Sequence, residues 1–113
     1  RGWQQEDADH FDSNDRKIYD RELGRLRMSL EAAAKKKKPI VVLTHFPPFS
    51  RSFSESPFTE LVEKYEVPTV LYGHIHGTAA LSKEYANVKL NGIRYVLTSC
   101  DHLRFSLKEI DIF

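Results

Sequence analysis

Two short segments carry the residues best suited to chemistry: Thr44-His45-Phe46-Pro47-Pro48 and Gly73-His74-Ile75-His76-Gly77. Neutral imidazole is a good ligand for zinc, iron and manganese, and its stiff ring fixes its reach. A His-x-His pair on an extended turn directs both rings to one side, because residues two apart share a face. Gly73 and Gly77 let the backbone turn tightly. Pro47 and Pro48 stiffen the loop behind His45 and reduce the entropy lost on ordering it. Each feature alone is weak, since an isolated His-x-His is more often an incidental surface pair and a lone strand-end histidine a satisfied polar residue. Together, after two strands, they point to a metal site built from His45, His74 and His76.

The elements that must position these residues can be read outward from them. Ile40-Val41-Val42-Leu43 is a short β-branched run, and its continuous apolarity predicts a strand covered on both faces, as in a parallel sheet. Thr69-Val70-Leu71-Tyr72 is a second such strand, so both histidine segments leave carboxyl ends of strands, where open α/β sheets place their binding crevices. Ahead of them, Ile18, Tyr19, Leu23, Leu26, Leu30 and Ala33 recur at helical spacing. Ser13, Asn14 or Asp15 can cap that helix, and Asp12/Arg16 and Glu31/Lys35 are acid–base pairs four apart. The run Lys35-Lys36-Lys37-Lys38 closes the predicted helix, where cations complement its exposed carbonyls, and Pro39 ends it. The proline-, serine- and phenylalanine-rich stretch 46–56 reads as a loop. Ser56-Pro57 opens a short helix through about Tyr65. Downstream, Tyr85–Leu90 and Ile93–Thr98 flank Asn91-Gly92, a hairpin turn signal, and 105–113 is expected to add one more strand. The predicted class is α/β with a mixed sheet.

Thr-His-x-Pro-Pro followed by Gly-His-x-His resembles the last two sequence blocks of the calcineurin-like, dinuclear metallophosphoesterases, over about Ile40 to Thr78. The resemblance implies a partial metallophosphoesterase-type α/β sandwich with a mixed sheet and a C-terminal antiparallel hairpin. It implies two divalent ions (manganese, iron or zinc), with His45 and His74 on one and His76 on the other. The implied activity is hydrolysis of a phosphomonoester or phosphodiester by a metal-activated hydroxide, the ions stabilising attacking and leaving oxygens. The family's earlier blocks, Asp-x-His, Gly-Asp-x-x-Asp and Gly-Asn-His-Asp/Glu, do not occur in these residues. The expectation is therefore that 1–113 form the C-terminal part of a longer metallophosphoesterase domain. Its missing N-terminal half would supply the remaining ligands, and these residues alone would be inactive. Asp9-His10 and Asp101-His102 do not match the spacing of the missing blocks and are assigned no role.

Composition narrows the alternatives. The 113 residues are 41% hydrophobic and 29% charged with a net charge of +1, an ordinary globular balance that indicates no nucleic-acid partner. No apolar run approaches the ~20 residues that span a bilayer, so no membrane partner is expected. Cys100 is the only cysteine, which fits a reducing, cytoplasmic compartment, and a buried strand-end thiol is its expected state. Arg51 is a weak candidate for phosphate contact, and Phe46, Phe49, Phe53 and Phe58 are expected to pack the loop against the second helix. Two other readings compete with a phosphate-ester hydrolase. One is a non-catalytic protein-binding module on the same fold. The other is a structural single-metal domain using His45, His74, His76 and perhaps Asp101, which would be closed and tetrahedral where catalysis needs an open position.

Overall fold

The computed structural model describes residues 13–48, 55–76 and 87–111. They contain helix α1 (Ser13–Ala34), strand β1 (Val41–Thr44), helix α2 (Pro57–Lys64), and strands β2 (Thr69–Tyr72), β3 (Asn87–Leu90) and β4 (Ile93–Leu97). The chain divides into two compact units. One is drawn from Arg1–Lys38 and Pro48–Glu66, the other from Pro39–Pro47 and Val67–Phe113. No helix among the described residues is long and apolar enough to cross a membrane.

In the helical unit, the predicted stripe of α1 is the side that loses solvent. Tyr19 and Leu30 are buried, Ile18, Leu23, Leu26 and Ala33 are half-buried, and Met28, off the stripe, is exposed. Tyr19 meets Phe58 of α2 edge-on, with ring centroids 5.2 Å apart at 86°, a favoured aromatic geometry. Asp15 lies in the first turn, where a carboxylate complements the helix dipole. Asp12 is outside the described residues. Arg16 instead pairs with Asp20 at 3.4 Å, an exposed contact worth a few tenths of a kcal/mol.

The lysine run does not close α1. The helix stops at Ala34 with no basic residue in its last turn. Lys36 and Lys37 donate to the carbonyls of Ala33 and Ala34, Lys37 takes a left-handed φ of 53°, and all four lysines are exposed. Lys35 is thus past the helix, where the spacing argument for Glu31/Lys35 no longer applies. Left-handed backbone ends a helix much as Pro39 would, a few residues sooner.

Helix α2 starts as its sequence dictates. Ser56 is extended at φ −141°, its hydroxyl accepts the Thr59 amide, and the Thr59 hydroxyl receives the Ser56 amide at 2.7 Å. This reciprocal pair satisfies two amides that a helix start leaves without partners. The Ser56 hydroxyl also donates to the Pro48 carbonyl.

In the other unit the sheet order is β1-β2-β4-β3, with β1–β2 and β2–β4 parallel and β3–β4 antiparallel. The sheet is mixed, as expected. The hairpin turn uses left-handed backbone at Asn91 (φ 51°) and Gly92 (φ 82°), the conformations a two-residue turn requires. Register places Val42, Val70, Tyr95 and Val88 in one row across the sheet, and Val42, Val70 and Tyr95 are buried. The neighbouring row, Leu43, Leu71, Val96 and Asn87, points to the other face, since side chains alternate along a strand.

Two expectations about this sheet are corrected. β1 begins one residue later than predicted and is not covered on both faces: Leu43 is 73% exposed. Among the described residues β1 pairs only with β2, as the edge of the sheet. No strand forms at 105–111, and 112–113 lie outside the described residues. Arg104 and Phe105 are left-handed (φ 53° and 58°), and Phe105 and Leu107 are exposed. β4 already has β2 on one side and β3 on the other, so neither of its edges is open to a further strand.

Candidate metal centre

Thr44 pairs with Tyr72, and Tyr72 with Leu97, as register partners in the parallel part of the sheet. The residues that follow, from His45, Gly73 and Thr98 onward, therefore leave one carboxyl edge side by side. Backbone bonds carry the alignment past the strands. The Gly73 amide donates to the His45 carbonyl at 2.9 Å and the Thr98 amide to the Tyr72 carbonyl at 2.8 Å. The Thr98 hydroxyl reinforces the second bond at 3.1 Å, and the Thr44 hydroxyl donates to the Phe46 carbonyl at 2.8 Å.

His74 holds the unusual backbone here. Its φ is 69°, and the Ile75 amide donates across it to the Gly73 carbonyl at 2.8 Å. An i to i+2 bond with positive φ marks the rare, strained form of the γ-turn. Such strain persists only where the surroundings impose it, and it concentrates at functional sites. From sequence, the tight turn is expected at Gly73 and Gly77. Gly73 instead has no left-handed φ, and a Cβ there would meet only the His45 carbonyl at an ordinary 3.7 Å. Gly77 is outside the described residues.

Around this turn the predicted ligands fall into two groups. The first is His45 with His74, ring centroids 5.3 Å apart at 73°. Phe46 packs against both, 4.9 Å from His45 and 4.2 Å from His74. Burial, then the nearby charges of His45 and His76, pushes the His74 pKa below the ordinary 6.5, which favours the neutral ring that metals require. Two imidazoles bound to one ion through ~2.0–2.1 Å nitrogen contacts have ring centres roughly 5 Å apart. The spacing of His45 and His74 fits that donor arrangement.

The second group is His76 with Cys100 and Asp101, whose potential ligand atoms all lie within 4.8 Å of one another. His76 Nδ1 and Asp101 Oδ1 are 2.9 Å apart, and the same Oδ1 accepts the His102 amide at 3.1 Å. His76 follows β2, while a turn after β4 presents Cys100, Asp101 and His102. Within it the Leu103 amide donates to Ser99, Arg104 to Asp101 and Phe105 to Cys100. Cys100 is exposed on this turn, not buried at a strand end as expected.

Asp101 is the residue that sequence reasoning undervalued. The sequence offers it only as a possible fourth ligand, because nothing in the local pattern says that β4 runs parallel beside β2. Arg51, Phe49, Phe53, Asp9 and His10 lie outside the described residues. Phe58 is buried against Tyr19 in the helical unit, while Phe46 is the aromatic that touches the histidines.

Residues 3–78, more than half of the chain, match the family model described as calcineurin-like phosphoesterase. No curated protein matches the chain significantly, and no solved structure does.

Proposed function

Since this chain belongs to the calcineurin-like phosphoesterase family, we propose that His45, His74 and His76 are metal ligands of a phosphomonoesterase or phosphodiesterase. The observation that carries the reading is the arrangement of the three histidines at one sheet edge. His45 and His74 meet edge-on, while His76 stands with Asp101. That division favours two adjacent ions over the single closed metal of a structural domain. Divalent ions bound there would supply Lewis-acid activation of water and neutralise charge on the phosphoryl oxygens.

The chain's own contribution is positional. The Gly73–His45 backbone bond fixes the spacing of two ligands, and the γ-turn commits the His74 backbone before any ion arrives. Phe46 lines one side of the pair with apolar surface. Three imidazoles are neutral donors and leave the charge of two ions uncompensated, so we assign the remaining ligands to carboxylates outside these residues. On this reading 1–113 form the C-terminal part of the catalytic domain, and manganese, iron or zinc is the metal.

The test is hydrolysis of aryl phosphate mono- and diesters by the complete protein with added manganese. His76→Ala should lower turnover by orders of magnitude with little loss of stability, because His76 is exposed. Residues 1–113 alone should be silent. Turnover that survives chelation removes the proposal.

A further inference from the structure

Resting on the reading of His76 as a ligand, we infer that Asp101 is its positioning residue: it holds the ring as the Nδ1–H tautomer and presents Nε2 to the metal. The two residues are 25 apart in sequence and meet only because β4 lies beside β2. An ionised carboxylate can only accept hydrogen bonds. At 2.9 Å from Asp101 Oδ1, His76 Nδ1 must therefore be the donor. In a neutral imidazole the proton on Nδ1 leaves the lone pair on Nε2. A ligating histidine whose other nitrogen donates to a carboxylate is held in tautomer and orientation, and its basicity rises.

Two further observations fit the positioning role. Oδ1 also accepts the His102 amide at 3.1 Å, so the oxygen that meets His76 is anchored by the backbone of its own turn. The exposures also differ in the expected sense. His76 is 55% exposed, open to an incoming ion, whereas Asp101 is only 27% exposed. The turn that carries Asp101 is closed by the Arg104 amide on the Asp101 carbonyl at 3.1 Å, which fixes the carboxylate's origin. Cys100, although its sulfur is near, has no part in holding the ring.

The experiment reads the His76 ring directly by 15N NMR of the metal-free chain, at a pH where the ring is neutral. The wild type should show the Nδ1–H tautomer. Asp101→Ala should lose that preference, and Asp101→Asn should favour Nε2–H by offering its amide hydrogens to Nδ1. Zinc titration on the same samples should show affinity falling roughly 10–100-fold in both variants, with Cys100→Ser unchanged. Cobalt titration should show no sulfur-to-metal charge-transfer band. A wild-type Nε2–H tautomer overturns the inference, as does zinc affinity indifferent to both Asp101 substitutions, or a cobalt–thiolate band that vanishes in Cys100→Ser. Failure of the underlying reading looks different. His76→Ala would leave zinc affinity intact while the wild-type tautomer stayed Nδ1–H.

Discussion

The Gly73 amide donates to the His45 carbonyl at 2.9 Å, one step beyond the last register pair of β1 and β2. Gly73 matters through its N–H and not through its missing side chain, because a Cβ would make only an ordinary contact there. Gly73→Ala should therefore change stability by about 0.5 kcal/mol or less, as at an unremarkable surface site. Gly73→Pro removes the donor and should cost ~1–3 kcal/mol. Urea unfolding of the two variants decides it, and equal damage from both would refute the account.

His74 should titrate below 6.5 in the metal-free chain, since burial and then the neighbouring histidine charges disfavour its cation. The folded state then binds fewer protons than the unfolded state between the two pKa values. Stability accordingly holds above pH 6.5 and falls as pH drops through 6.5 toward the folded pKa. His74→Gln should remove that part of the acid sensitivity. Ring NMR across pH 4–8 checks the sign, and a midpoint at or above 6.5 contradicts it.

Ser56 works in two directions, accepting the Thr59 amide and donating to Pro48. Ser56→Ala removes both bonds and should cost ~1–2 kcal/mol, the upper half of the usual capping range. Ser56→Asp keeps the acceptor but not the donor and should fall between wild type and alanine. Thermal unfolding ranks the three, and an aspartate no better than alanine would leave the cap without weight.

Leu43 lies on the outermost strand, 73% exposed. An apolar edge strand is a template for pairing with another chain. Leu43→Lys should lower self-association of the 113-residue chain without loss of helical signal, because the side chain has little burial to lose. Sedimentation at increasing concentration provides the measurement. Self-association unaffected by the lysine would place the contact elsewhere.

Features fixed by near neighbours were legible in the sequence. Ser56-Pro57 set the start of α2, Asn91-Gly92 set the hairpin, and Thr69–Tyr72 set β2 to the residue, because caps, turns and short β-branched runs act over a few residues. The histidine segments were legible as strand-end pairs for the same reason. What local pattern could not carry was strand order. Only the parallel seating of β4 against β2 brings Asp101 to His76, and only β2 and β3 together occupy both edges of β4, so that 105–111 cannot pair with it. Only β1's place at the sheet edge exposes Leu43, whose apolar run reads in sequence like that of a central strand. The left-handed backbone at His74 is likewise a tertiary decision. Positive φ is uncommon for a residue other than glycine, and here the bond across His74 lies immediately beyond the Gly73–His45 bond that joins β1 to β2.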